Sequence, residues 1–65
     1  MTATFVAIVP AKHRDELREM LTQEDTGPLN WREERRRSFS EFYFSGPPAL
    51  ARAAHSYVAG WVIHH

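Results

Sequence analysis

Histidine is the side chain best suited to moving a proton near neutral pH or to holding a transition metal. The chain has four, His13, His55, His64 and His65. None falls in a His-x3-His or His-Glu-x-x-His pattern, the spacings that place two imidazoles on one helix face. The adjacent His64 and His65 would point to opposite sides of a strand, and they are read as solvated or tag-derived. No metal site is expected. The arginines Arg32, Arg35, Arg36 and Arg37 form a second constellation, diluted by Glu33 and Glu34. Such a cluster offers anion contacts, but interleaved carboxylates favour a face that neutralises itself. A third group is Glu41 and Tyr43, a carboxylate and a phenol two residues apart on a strand. A buried Glu41 would have a raised pKa and the makings of a base, whereas one paired with an arginine would not.

Nucleophile chemistry has no carrier. Cysteine is absent, and Ser38, Ser40, Ser45 and Ser56 lie in no nucleophile-elbow pattern. With Gly27, Gly46 and Gly60 as the whole glycine complement, no phosphate loop or dinucleotide fingerprint can be built. The acidic residues lack metal-loop spacing. These absences weigh against an enzyme, and neither a catalytic set nor a cofactor is expected.

The elements that must position these residues are few. The chain has 65 residues, eight Lys and Arg against eight Asp and Glu, and 43% hydrophobic residues. That is one small domain, 1–65, of globular composition. It is too small for a multidomain enzyme and too evenly charged for a dedicated nucleic-acid tail. Domains of this size bury about 60% of the surface their unfolded chains expose, so the core is marginal. No disulfide can supplement it. Neither a signal peptide nor an apolar run of membrane-spanning length is visible, which sets a cytoplasmic location and no membrane partner as the expectation.

Thr2–Val9 reads as a strand rich in β-formers, stopped by Pro10. Its near-uniform apolarity suggests a central strand covered on both faces. Ala11–Thr22 reads as an amphipathic helix with His13, Leu17, Met20 and Leu21 on one stripe. Residues 23–28 form a polar loop. Leu29–Arg37 is ambiguous. Asn30 with Glu33 would suit a capped helix, and the charged run also suits an edge strand with a connection near Glu34–Arg36. The edge strand is the favoured reading. Ser38–Ser45 reads as a strand with Ser40, Phe42 and Phe44 on one face and Phe39, Glu41 and Tyr43 on the other. Pro47–Ala59 reads as a helix with Leu50, Ala54, Tyr57, Val58 and Trp61 on one stripe. Gly60 is the expected stop, and Trp61–His64 the expected last strand.

The segment Arg37–Phe44 faintly resembles the strand signature of RNA-recognition motifs through Arg37, Phe39, Ser40 and Phe44. Glu41, however, stands where that family places a base-stacking aromatic, and a carboxylate there repels phosphate. An RNA-binding role is therefore not carried over, and nucleic acid is not an expected partner.

The order β-α-(β)-β-α-(β) predicts a two-layer α+β domain of ferredoxin-like, split-βαβ type. The alternative is a β-α-β-α unit completed by dimerisation. With Val6 and Ile8 assigned to the helices, the open sheet face should carry Phe5, Ala7, Val9, Phe39, Glu41 and Tyr43. An apolar face of that sort predicts a homodimer or another protein partner. The expected function is that of a small non-enzymatic interaction or regulatory protein. A second expectation, from architectural similarity to dimeric α+β barrels, is a small-molecule site or minor activity between sheets, lined by Phe5, Phe39, Glu41 and Tyr43. A third is weak phosphate or nucleic-acid binding through Arg32, Arg35, Arg36 and Arg37.

Overall fold

The computed structural model describes residues 1–64, so His65 lies outside the described residues. Strand β1 spans Ala3–Pro10, helix α1 Ala11–Gln23, strand β2 Asn30–Arg35, strand β3 Phe39–Gly46 and helix α2 Pro48–Ile63. The three strands form one antiparallel sheet in the order β1-β3-β2. The result is a small α+β domain with both helices on one side of the sheet.

The core lies between that side and the helices. It contains Ala7 and Val9 of β1, Phe42 and Phe44 of β3, Leu17 of α1, Leu29, and Ala51 and Val58 of α2. Strand β3 is central and alternates strictly, its inner residues Ser40, Phe42, Phe44 and Gly46 all buried. Trp31 of β2 stacks on Phe42 with ring centroids 6.1 Å apart. The connection from α1 to β2 turns through Gly27 at φ 61°, in the left-handed region where glycine is unstrained. The Gly27 N–H donates to Asp25 Oδ1 at 3.0 Å, and Leu29 N–H to Thr26 O at 3.1 Å. This loop lies against the end of β3, where a Cβ on Gly46 would sit 3.2 Å from Pro28 O and 3.3 Å from Leu29 Cα.

Several expectations are corrected. Leu29–Arg37 does hold a strand, but the connection to β3 falls at residues 36–38, closed by Arg36 N–H to Phe39 O at 2.8 Å. Asn30 opens that strand rather than capping a helix. Trp61–His64 is not a strand, because α2 runs through Gly60 to Ile63. Val58, Trp61 and Val62 stand at i, i+3 and i+4, and Trp61 and Val62 pack on the core only if the helix continues. That burial outweighs the roughly 1 kcal/mol that glycine costs inside a helix. With no fourth strand among the described residues, β1 is an edge strand rather than a central one. The helical stripe is also rotated: Leu50 and Tyr57 are 45% and 61% exposed, while Ala51 takes a core position.

The faces of β1 are exchanged relative to expectation. Phe5, Ala7 and Val9 face the helices, and Val6 and Ile8 face away. Both alternating sets of β1 are apolar, so alternation alone does not choose between them. The register decides. Phe5 lies opposite Phe44 and Ala7 opposite Phe42, and directly opposed residues share a face.

Candidate functional site

Among the described residues, no element packs on the sheet surface away from the helices. Cross-strand rows build it from the register. Thr4, Ser45 and Asn30 form a polar row, in which the Thr4 and Ser45 hydroxyls share a hydrogen bond of 2.9 Å. Val6, Tyr43 and Arg32 form the next row, then Ile8, Glu41 and Glu34, and finally Pro10 and Phe39. Val6 is 41% and Ile8 55% exposed, and Phe39, Tyr43 and Pro10 are half-buried. The face is thus divided along its length. Its β1 side is an apolar stripe of Val6, Ile8, Pro10, Phe39 and Tyr43, and its β2 side is ionic.

The ionic side is internally paired. The Arg32 guanidinium lies 4.1 Å above the Tyr43 ring and also reaches Glu34. Arg36 leaves the β2–β3 connection and donates to Glu41 Oε1 from Nε at 3.1 Å and Nη2 at 2.9 Å. Glu34 and Glu41 lie opposite each other in the register, an arrangement that repels unless neutralised. Each has its own arginine. Glu41 is therefore held as the acceptor of an ion pair with Arg36.

The predicted site residues are only partly brought together. Phe39, Glu41 and Tyr43 share the open face as expected. Phe5 is on the opposite side, half-buried against the core, its ring 5.9 Å from that of His55. The four arginines do not form one patch, because neighbours on a strand alternate sides. Arg32 lies on the open face, Arg35 on the helix side with Asp15 and Glu33, and Arg36 against Glu41. Arg37 is exposed and enters none of these pairs. His13 packs edge-on against Trp61, at 5.7 Å, and so sits on a different aromatic from His55. Among the described residues no group of three or more His, Asp or Glu is placed to hold a metal ion. No helix among them is long and apolar enough to cross a membrane.

Sequence reasoning missed a polar network on the helix side. The Glu33 side chain is 3% exposed. Its carboxylate accepts from Ser40 Oγ at 2.6 Å, Arg35 Nε at 3.1 Å and Arg18 Nη1 at 3.1 Å. Burial pushes the Glu33 pKa up, but the Ser40 hydroxyl and the two guanidinium groups outweigh it, and the net direction is down. Arg35 also holds Asp15 on α1, and that hydrogen bond is the main cause of a lowered Asp15 pKa. Arg14 donates to the carbonyls of Arg36 at 2.7 Å and Phe39 at 3.2 Å. Together these contacts fasten α1 to β2 and β3. The alternating signs of Arg32-Glu33-Glu34-Arg35 carry the signal: at period two they place one Glu–Arg pair on each face.

Comparison with protein-family models, with curated proteins and with solved structures found no match.

Proposed function

We propose that this is a small non-catalytic interaction protein that self-associates through its open sheet face. The observation that carries the reading is the uncovered apolar stripe of Val6, Ile8, Pro10, Phe39 and Tyr43. Contiguous apolar surface of this kind is typical of interfaces. The flanking ion pairs suit a polar rim, which orients partners and excludes alternatives more than it adds affinity. A second copy is the occupant proposed, because the core of so short a chain is marginal and homodimers about a two-fold axis are the commonest oligomers. The topology is read as a split-βαβ, ferredoxin-like unit whose fourth strand is replaced by the helical end of α2. A cytoplasmic setting belongs to the same reading.

The test is sedimentation equilibrium on the wild type and on Phe39→Glu. The reading expects a wild-type oligomer whose mass falls by half in Phe39→Glu, with far-ultraviolet circular dichroism unchanged. An identical mass for the two folded proteins removes the open face as the contact.

A further inference from the structure

The two edges of the sheet are unlike. Strand β2 carries the devices that discourage strand addition. It is short, it bears Arg32, Glu33, Glu34 and Arg35 in succession, and Glu33 points inward. Strand β1 has none of them. It spans eight residues, and from Ala3 to Val9 it contains no charge, no proline and no glycine. One alternating set of its backbone N–H and C=O groups bonds to β3, and the other set faces outward with no strand beside it. Such an edge is a template for pairing.

We infer that β1 pairs antiparallel with β1 of a second copy, extending two three-stranded sheets into one of six strands. The sequence of the edge fits itself. With the two-fold axis at Val6, Phe5 lies opposite Ala7 of the other copy on the helix side, so large meets small twice. On the open side Thr4 lies opposite Ile8. Ala3 meets Val9, and Pro10, which has no N–H to give, falls outside the paired stretch.

Helix α2 packs chiefly on β1, so the pairing of two edges also brings the α2 helices of two copies side by side. Ala54 and Tyr57 line a groove with Leu17, Met20 and Leu21 of α1, so that flank of α2 faces α1. Helical geometry then puts Pro48, Arg52, His55 and Ala59 on the flank above β1, where the His55 ring lies 5.9 Å from that of Phe5. A shallow depression of about 500 Å³ lies on the outward side of α2, lined by Pro48, Ala49, Arg52, Ala53 and Ser56. Pro48 and Ala59 are small there, His55 lies down on Phe5, and Arg52 has a stem long enough to carry its head to water, so the α2 helices of two copies meet along this flank.

This contact is independent of the open-face contact proposed above. Operating together with their two-fold axes crossing at right angles, the two contacts give a tetramer with a third two-fold axis. The test is residue-resolved amide hydrogen exchange on the wild type and on Phe39→Glu, with the mass of each measured at the same concentrations. Edge pairing expects all β1 amides from Thr4 to Val9 to be protected, the outward set slowed about 100-fold relative to a dilute, dissociated sample. It also expects Phe39→Glu to remain a dimer with that protection intact. An oligomer whose β1 amides alternate between fast and slow overturns the edge contact and leaves the open-face contact standing. Equal masses for the two proteins with full β1 protection do the reverse. A monomer at all concentrations with alternating exchange overturns both.

Discussion

At the scale of the residue, Glu33 and Gly46 show most clearly how chemistry and space constrain this chain. The Glu33 side chain is 3% exposed and accepts three hydrogen bonds, two of them from cations, and Ser40, itself fully buried, has Glu33 as its acceptor. Glu33→Ala leaves the Ser40 hydroxyl without that acceptor and frees Arg18 and Arg35, which are exposed enough to be rehydrated. The expected loss is about 1–3 kcal/mol in urea unfolding. The pH dependence has a definite sign. The folded-state pKa of Glu33 is lowered, so its contribution is fully present above the ordinary carboxylate pKa and is lost as pH falls through the folded value. Wild-type stability should drop on acidification below about pH 4.5, and Glu33→Ala should show a shallower drop. Gly46 is constrained by space rather than by φ. A methyl there meets the backbone of Pro28 and Leu29, so Gly46→Ala should destabilise by about 1–3 kcal/mol, measured by the same unfolding curves. The sequence carried no sign of this, because the loop that approaches Gly46 is distant along the chain.

At the scale of the element, legibility followed the strength of the local pattern. Strand β3 was readable because Ser40-Glu41-Phe42-Tyr43-Phe44 assigns its faces through one charged residue, Glu41. Helix α1 was readable because Leu17, Met20 and Leu21 mark a single stripe. Strand β1 was readable as a strand but not as to its faces, since Phe5, Ala7 and Val9 are no more apolar as a set than Val6 and Ile8. A one-residue choice there moves every side chain to the other side, and tertiary register alone made it. The end of α2 was misread because a glycine after a helical run resembles a stop. Gly60 is instead an interior helical residue with open space where a Cβ would project and no positive φ. Gly60→Ala should therefore raise stability by about 0.5–1 kcal/mol, read as a higher thermal midpoint. A destabilised Gly60→Ala would mean that the chain leaves the helix before residue 61.

For the whole molecule, the fold leaves two surfaces of opposite character around one small core. The ionic side of the sheet is satisfied by its own pairs, Arg32 with Glu34 and Arg36 with Glu41, and Arg35 is committed to Asp15 and Glu33. Ionic pairing of this kind leaves little unbalanced charge to attract phosphate. On the apolar side the Tyr43 ring lies under Arg32 while Val6 and Ile8 stay exposed, and the apolar surface concentrates on β1 and β3. The candidate surface was half legible in the sequence. Phe39 and Tyr43 were assigned to it correctly, whereas Val6 and Ile8 were hidden by the ambiguous faces of β1 and Phe5 took their place. The central claim is that the stripe of Val6, Ile8, Pro10, Phe39 and Tyr43 is covered by a second copy. The most direct measurement is the attenuation of side-chain NMR signals by a soluble paramagnetic probe, followed over a dilution series. The account predicts that the Val6 and Ile8 methyls and the Tyr43 ring are shielded at high concentration and become accessible on dilution. Tyr57 and Leu50 on α2 should remain accessible throughout. Methyls of Val6 and Ile8 that stay as accessible as Tyr57 at every concentration would contradict it.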